Sequence, residues 1–425
     1  MRGFFSGSTL AASKNPHALL PECGACGLLK TCRTPKMPVY GHGRLGLLLV
    51  LPAPDGADDA ATKPLSGQTG HYLRNAFALH GIDIERDCWV THAASCAPPG
   101  GKAVSYKEVD HCRPLLRETI KQLDPVGIIP VGIAAVRGVV FDVWKEELGQ
   151  TTIETWVGFN APSQALNSWI SPIWEPGYVQ AASSGHKANP TVSLWWHRHI
   201  QQAIDCIKKG RPWPVKPDWD KKVERITNLD EAAYKIRKLA SLTTGMSAFD
   251  YENNCLKPDP DYARAASASI AWGRNEVEFC IAYPWQGAAI EATREYVLSP
   301  QPKIASNLKH EERWTYKLFD TPLRNWWLDT MIMAHVLDPR EGITGLKFQS
   351  FALLGRPSYD DHLKPFLQSK GEEKCNRIFK EISLDDLLLY NGLDSLLEWY
   401  VARDQALLLG RPLPEGVGGC GPCLR

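Results

Sequence analysis

The chain has no long apolar run, and its charges nearly cancel. No stretch approaches the roughly 18 apolar residues of a membrane-spanning helix. The start, Met1-Arg-Gly-Phe-Phe-Ser, lacks the apolar core of a signal peptide. Lys and Arg number 48 and Asp and Glu 47, so the formal net charge of +1 does not indicate nucleic-acid binding by itself. We therefore expect a cytoplasmic protein in which any basic surface is local.

Cysteine, in contrast, is abundant, with 12 residues in the chain. In a cytoplasmic protein such cysteines are more often metal ligands or buried thiols than disulfides. Half of them fall in the first 112 residues, at Cys23, Cys26, Cys32, Cys88, Cys96 and Cys112. This uneven distribution predicts a metal or cluster site near the N-terminus.

A length of 425 residues exceeds one typical core, so we expect two domains. Residues 1–206 form the first. Continuous apolar runs at 45–50 and 126–131 are typical of buried parallel strands. Helical spacing at 70–80 and 110–123 lies between them, which predicts a three-layer α/β domain.

Residues 207–222 are rich in Pro and charge, and we interpret them as a linker. A second domain is expected over 223–410, beginning with a helix capped by Asn228 or Asp230. Residues 411–425 are rich in Gly and Pro and are expected to be a flexible tail.

Three short acidic clusters occur in the second domain. Asp250 and Glu252 end a strand-like run, and residues two apart on a strand point to one face. Tyr390 and Asp394 are four apart in a helix-like segment and share a face there. Glu311 lies in the cluster between them. Carboxylates that converge from distant segments suit a pair of divalent cations acting on a phosphodiester.

In this order the clusters resemble the three motifs of DnaQ-like 3′–5′ exonucleases, in the variant whose third motif carries tyrosine. The resemblance covers about residues 222–410 and implies a ribonuclease-H-like α/β fold. It also implies that two Mg²⁺ or Mn²⁺ ions are held by four carboxylates, with a tyrosine orienting the attacking water. The residues at these positions are Asp250, Glu252, Glu311 and Asp394 for the metals and Tyr390 for the water.

Two positions near the second motif leave alternatives open. Glu311 stands where the family usually has Asp, and a one-residue shift in register would substitute Glu312 for it. Asp329 is also acidic, but we expect it to cap a helix through the amides of Met331 and Ile332.

Over about residues 20–206 the chain resembles family 4 uracil-DNA glycosylases. The resemblance implies a [4Fe–4S] cluster held by Cys23, Cys26, Cys96 and Cys112. Spacing alone does not separate an iron–sulfur cluster from zinc, since thiolates bind both. Cys32 is an alternative to Cys26, although we treat it as spare.

The glycosylase-like pocket departs from the family at most of its key positions. Pro52 replaces a glutamate and is followed by Asp55, Leu65 replaces the aromatic residue that stacks on uracil, and His92 replaces the asparagine that reads the base. One neutral imidazole nitrogen either donates or accepts, whereas an amide does both. His186 retains the family's residue. We therefore expect a DNA-binding domain without glycosylase activity.

The pairing of these two domains resembles the front portion of certain phage family A DNA polymerases. Only 31 residues follow Asp394, too few for a polymerase domain. We expect a proofreading-type 3′–5′ DNA exonuclease that releases nucleoside monophosphates from single-stranded or frayed 3′ ends. Its expected partner is a separate DNA polymerase or other replisome protein, in the host cytoplasm if the chain is phage-encoded.

Two other functions stay open at this point. One is an active uracil-DNA glycosylase, in which Asp55 or Asp58 replaces the missing glutamate. The other is a non-catalytic replisome scaffold. The pair Cys420-Gly-Pro-Cys423 copies a thioredoxin motif but has no βαβ unit around it, so we interpret it as an inert or partner-binding tail.

Overall fold

The protein is described by a computed structural model that covers residues 25–141, 144, 152–184, 188–242, 244–369 and 375–414. The chain divides into two compact units. The first ends at Val215 and also includes Gly355–Pro357, and the second begins at Lys216 and takes the remaining residues. The junction at Val215 falls inside the stretch predicted as a linker. Trp219, in the same stretch, is buried in the core of the second unit.

The first unit is an α/β layer structure. Its strands are β1 (Leu47–Leu51), β2 (Cys88–His92), β3 (Gly127–Pro130), β4 (Ala161–Ser163) and β5 (Ser168–Ile170). Its helices are α1 (Gly56–Ala61), α2 (Gln68–Ala78), α3 (Ile84–Asp87), α4 (Tyr106–Leu123), α5 (Ile133–Val140), α6 (Ile153–Trp156), α7 (Pro176–Ala182) and α8 (Pro190–Lys208). Single 3₁₀ turns occur at Leu28–Lys30 and Pro99–Gly101.

The sheet of the first unit has the order β2-β1-β3-β5-β4. All its pairs are parallel except β4 with β5. Every residue of β1 is buried, because helices cover both faces of a parallel sheet. The apolar runs at 45–50 and 126–131 therefore correspond to buried parallel strands, as predicted, and these two strands, β1 and β3, are adjacent in the sheet.

Helix α4 begins earlier than its apolar spacing indicated. The predicted helix began at Asp110, whereas α4 begins at Tyr106. Ser105 and Glu108 form a capping box in which each side chain accepts the backbone N–H of the other residue. This Ser-x-x-Glu signature is present in the sequence and marks the start of the helix.

The second unit is also α/β. Its strands are β6 (Glu224–Arg225), β7 (Met246–Asn253), β8 (Ala265–Gly273), β9 (Val277–Pro284), β10 (Lys303–Ala305) and β11 (Trp326–Asp329). Its helices are α9 (Leu229–Ala240), α10 (Ala288–Val297), α11 (Lys309–Phe319), α12 (Thr330–Leu337), α13 (Leu346–Leu354), α14 (Lys364–Leu367), α15 (Ile378–Glu381) and α16 (Leu384–Leu408). Asn228 caps α9 by accepting the amides of Asp230 and Glu231.

The second sheet has the order β11-β10-β7-β8-β9-β6. Strands β7, β8 and β9 form an antiparallel meander, and β10 and β11 add in parallel beside β7. The long helix α16 packs against this sheet and is buried along most of its length. The predicted α/β class is confirmed in both units.

The predicted flexible tail begins with residues that pack against the second unit. Leu413 contacts the core of that unit, and the Arg411 guanidinium donates to the Trp327 carbonyl at 3.1 Å. Cys420 and Cys423 lie outside the described residues, as do Cys23 and His186.

Among the helices that the structure describes, none combines the length and the apolar character that a membrane span requires.

Candidate functional sites

Three carboxylates of the second unit meet at one point. One oxygen from each of Asp250, Glu252 and Asp394 lies within 4.8 Å of the other two. Asp250 and Glu252 project from the same face of β7, and Asp394 comes from α16, which crosses that face. Tyr390 lies one turn before Asp394 on the same helix. The sequence spacings thus bring these four side chains together.

Asn391 fixes the position of Asp250. Its amide nitrogen donates to Asp250 Oδ2 at 2.5 Å, and its amide oxygen accepts the hydroxyl of Ser267 at 2.9 Å. The Ser269 hydroxyl donates to the Asn391 carbonyl at 2.8 Å. Ser267 and Ser269 pair with Glu252 and Asp250 across the β7–β8 ladder. Two strands and α16 are therefore locked together directly beneath the carboxylates.

Glu311 lies in the first turn of α11 and is only 2% exposed. Its Oε2 has no hydrogen-bond partner among the described residues. Glu312 is engaged elsewhere, because its carboxylate accepts the Trp326 indole N–H at 2.9 Å and the Leu323 amide at 3.2 Å. Of the two adjacent glutamates, Glu311 is therefore the one available to the acidic cluster.

Asp329 holds the turn that leads into α11. As predicted, it caps α12 by accepting the amides of Met331 and Ile332. Its two oxygens also accept the amides of Asn307 and Leu308, at 3.2 and 2.9 Å. Asn307 has a φ of 65°, a left-handed conformation that asparagine tolerates better than most residues. Asp329 is therefore structural, and it helps to set where α11 begins.

The carboxylates repel one another in a buried environment. Burial, and then the charge of Asp394, raises the pKa of Asp250 well above its ordinary value. Burial and then Asp250 do the same to the pKa of Glu252, and burial and then Asp250 raise the pKa of Glu311. Burial followed by Asp394 and Glu252 raises the pKa of Tyr390. Such a group of carboxylates is costly to keep ionised without a cation.

Sequence reasoning missed a fifth carboxylate, Glu398. It is 1% exposed and accepts the Thr330 hydroxyl at 3.3 Å. Burial and then the charges of Asp250, Asp329 and Asp394 raise its pKa well above the ordinary value. Glu398 follows Asp394 by four residues on α16, so helical spacing was a signal that would have found it.

Sequence reasoning also missed a lysine and a tyrosine beside Asp394. Lys347 on α13 forms an ion pair with Asp394, and the hydroxyl of Tyr359 donates to the same carboxylate. The rings of Tyr359 and Tyr390 lie 6.2 Å apart. Nothing in the local sequence around Lys347 marks it, because its contact is made by tertiary packing of α13 on α16.

These residues fit a divalent metal. The donors are all carboxylate oxygens, which Mg²⁺ and Mn²⁺ prefer. Burial and the neighbouring carboxylates raise the pKa of Asp250, Glu252 and Glu311, and among the described residues the buried Glu311 Oε2 has no hydrogen-bond partner. The single ammonium of Lys347 therefore leaves room for a further cation at this site. Asp250, Glu252, Asp394 and Glu311 would hold the metal.

The first unit contains a cavity of about 220 Å³. Among its lining residues are Pro52, Asp55, Asp58 and Leu65, which include three of the residues predicted for the glycosylase-like pocket. Leu65 is 4% exposed and has a φ of 63°. It therefore contributes an aliphatic wall where an aromatic ring was the expected platform in the family.

Asp55 and Asp58 are used structurally. They form a capping box at the start of α1, in which Asp55 accepts the Asp58 amide at 2.8 Å. Asp58 also accepts the Ser66 amide at 2.6 Å, and burial raises its pKa. Both carboxylates thus hold the loops around the cavity, which weakens the alternative in which either one replaces the missing glutamate.

His92 does not line this cavity. It ends β2 with its side chain fully buried, and neither ring nitrogen has a hydrogen-bond partner among the described residues. Complete burial lowers its pKa to about 3, so the ring is neutral at physiological pH. The prediction that His92 takes the base-reading position is not supported by its location.

Three cysteines lie together in the first unit. The sulfur of Cys96 accepts the Lys36 amide at 3.3 Å, and that of Cys112 accepts the Ser95 amide at 3.3 Å. Cys32, which was treated as spare, is within hydrogen-bonding reach of Cys96. Backbone donors to sulfur suit thiolates that hold an iron–sulfur cluster. The ligand set that includes Cys23 and Cys26 stays a prediction.

Comparison with known families bears on the first unit. Residues 38–197 match the family model described as the uracil DNA glycosylase superfamily. Over these residues the first unit is similar to members of that superfamily. Over 124 residues the chain is 31% identical to a type-4 uracil-DNA glycosylase of Pyrobaculum aerophilum, a match that covers 29% of this chain. The chain spans 62% of the length of that relative.

Comparison with solved structures returns nucleases at low similarity. The catalytic core of RRP6 from Trypanosoma brucei has 15% identity and a TM-score of 0.33, covering 44% of this chain and 47% of that one. RNase D of Escherichia coli has 12% identity and a TM-score of 0.30, covering 44% of each chain. NrnC of Brucella melitensis has 16% identity and a TM-score of 0.30, covering 44% of this chain and 82% of that one.

Proposed function

We propose that this protein is a metal-dependent 3′–5′ exonuclease that acts on single-stranded or frayed DNA ends. The observation that carries the proposal is the convergence of Asp250, Glu252 and Asp394 within 4.8 Å. Glu311 is buried in the same electrostatic environment, and Tyr390 lies one helical turn from Asp394. This combination of carboxylates and a tyrosine matches the motif order of the DnaQ-like family.

Mg²⁺ or Mn²⁺ bound by these carboxylates would neutralise the phosphate and make a bound water more acidic. The remaining roles belong to the chain. Tyr390 would orient the attacking water through its hydroxyl, which stays protonated because its pKa is raised. Asn391 keeps Asp250 in place, and Asp329 helps to hold the turn that leads to Glu311.

The reaction is a hydrolysis. The water oxygen forms a new bond to the terminal phosphorus, and the bond from that phosphorus to the 3′ oxygen of the preceding nucleotide breaks. The leaving oxygen takes up a proton and becomes the new 3′ hydroxyl. The products are a nucleoside 5′-monophosphate and a strand that is shorter by one nucleotide.

The test is a time course on a 5′-labelled single-stranded DNA, with an RNA of the same sequence beside it. In Mg²⁺ or Mn²⁺ we expect a ladder that shortens from the 3′ end, and in EDTA we expect intact substrate. Blocking the 3′ end with a phosphorothioate linkage is expected to slow the first cut. Internal cleavage, or a ladder that persists in EDTA, contradicts the proposal.

For the glycosylase-like unit we propose DNA binding without uracil excision. The support is local. Pro52 has no group that activates water, Leu65 has no aromatic ring, and Asp55 and Asp58 are committed to a helix cap. In the full chain this unit would help to retain DNA while the exonuclease acts.

The proofreading role is a narrower part of the same proposal. Its support is the resemblance of the motifs to the exonuclease portion of family A DNA polymerases. It predicts faster removal of a mismatched than of a matched 3′ nucleotide from a primer–template, because frayed ends present unpaired nucleotides. Equal rates on the two duplexes would argue for general end degradation instead, in which no separate polymerase is needed.

A further inference from the structure

Lys347 brings a positive charge into the acidic cluster. Its ammonium is paired with Asp394 Oδ1 and hydrogen-bonds the Tyr359 hydroxyl at 2.8 Å. The same nitrogen lies 4.1 Å from the centre of the Tyr359 ring and 4.5 Å from that of Tyr390. Cation–π contacts with two rings and an ion pair therefore hold the ammonium at the edge of the cluster.

The ammonium contacts the carboxylate that a metal would need. Asp394 Oδ1 accepts both Lys347 and the Tyr359 hydroxyl, so the oxygen is already engaged. A divalent ion bound by this carboxylate would repel the neighbouring ammonium. Full occupancy of Asp394 by both cations at once is therefore unfavourable.

Lys347 is able to leave. Its side chain is 23% exposed, whereas that of Asp394 is 10% exposed. A lysine carries its charge on a flexible four-carbon stem, so the ammonium can swing toward solvent while α13 stays packed.

We propose that Lys347 is the resident counter-ion of the acidic cluster and that a divalent metal ion displaces it from Asp394 on binding. The proposal rests on the metal site of the proposed function but not on exonuclease activity. Lys347 is thus a positioning residue that keeps the cluster compact without metal and sets the metal concentration at which the site fills.

The experiment titrates Mn²⁺ alone into the EDTA-stripped full-length protein, without DNA, and follows free Mn²⁺ by electron paramagnetic resonance. Lys347→Met removes the charge and keeps the stem, and Lys347→Arg keeps the charge. Lys317→Met, on the exposed face of α11, is the matched control. Asp250→Asn identifies which part of the binding belongs to the acidic cluster.

We expect Lys347→Met to bind Mn²⁺ roughly fivefold more tightly than the wild type, the size expected for loss of one partly exposed charge pair. Lys347→Arg and Lys317→Met are expected to stay near the wild-type affinity. Tighter binding is informative because damage to the fold would weaken the site. Lys347→Gln and a thermal melt of each variant check that the result does not depend on one substitution.

Unchanged or weaker Mn²⁺ binding in folded Lys347→Met and Lys347→Gln overturns the proposal. A second measurement separates it from the proposed function. If the wild type degrades DNA, the Mn²⁺ concentration for half-maximal rate is expected to fall by the same factor in Lys347→Met. If the wild type degrades nothing, the exonuclease proposal fails while the binding titration still decides the role of Lys347.

Discussion

The candidate site residues converge in the second unit but are separated in the first. In the second unit, side chains from β7, α11 and α16 converge, and burial together with the neighbouring carboxylates raises the pKa of Asp250, Glu252 and Glu311. In the first unit, Pro52 and Leu65 line a cavity while His92 is buried away from it. Like charges that a fold holds together against their repulsion indicate a cation site more strongly than residues that merely fall at family positions.

The largest effect is expected from Asp250→Asn, which removes one charge and keeps the shape of the side chain. We expect exonuclease activity to fall on the order of 10³-fold, because transition-state charge stabilisation is lost. The measurement is the single-turnover rate on 5′-labelled single-stranded DNA. Asp259→Asn, an exposed carboxylate of the same unit, is the control and should be unchanged. A fully active Asp250→Asn would show that the acidic cluster of the second unit is not the catalytic site.

A smaller loss is expected from Tyr390→Phe. Loss of the hydroxyl leaves the ring packed near Tyr359 but removes the group that orients water, so the rate should fall roughly 10²-fold. Mn²⁺ affinity should stay near the wild-type value, which separates this variant from Asp250→Asn. Equal losses of affinity and rate would mean that Tyr390 supports the fold of the site instead.

The first unit is tested through the pH dependence of His92. Its pKa is about 3 when folded and near 6.5 when unfolded, so the unfolded chain takes up the proton first. The stability that the neutral ring contributes is therefore fully present above pH 6.5 and is lost as the pH falls toward 3. Between pH 7 and pH 5 we expect a loss of about 2 kcal/mol that His92→Leu does not show.

Thermal or urea unfolding of the two proteins at both pH values measures this difference. Carboxylates whose pKa is raised by burial, such as Asp58 and Glu175, oppose the trend, but they are shared by both proteins. Only the difference between wild type and variant is assigned to His92. The same acid sensitivity in both would show that the imidazole is more accessible than its position indicates.

The last test concerns uracil excision by the first unit, for which we expect no activity. The full chain, incubated in EDTA with a 5′-labelled oligonucleotide that contains one uracil, should leave no alkali-labile site. A glycosidic bond is cleaved without a divalent metal, so EDTA silences only the exonuclease. A break at the uracil would show that the cavity around Pro52 still excises the base, and the contrast between the units would disappear.

Local patterns predicted the elements that carry the acidic cluster. The spacing of Asp250 and Glu252 matches a strand, that of Tyr390 and Asp394 matches a helix, and β7 and α16 have those forms. The apolar runs also predicted strands β1 and β3, because a parallel strand that is buried on both faces consists almost entirely of apolar residues.

Tertiary neighbours decided what local patterns did not. Lys347 reaches Asp394 only because α13 packs on α16, and its position in the sequence does not reveal that contact. The burial of His92 depends on what covers the end of β2. The spacing of Asp55 and Asp58 is that of a capping box, so this role was predictable from the sequence. From the sequence they were considered only as substitutes for a catalytic glutamate. Glu398 is an exception, because its spacing of four residues from Asp394 predicts that both lie on one face of α16.

Helix α16 is a single 25-residue element, and it carries Tyr390, Asn391, Asp394 and Glu398 within about two and a half turns. One inserted or deleted residue upstream of Tyr390 would rotate all four by about 100° relative to the start of the helix. Insertion scanning should therefore find an intolerant window that opens just after the Ser383 cap. Length changes before that cap are absorbed by a loop, whereas inside the helix they reach every one of these side chains at once.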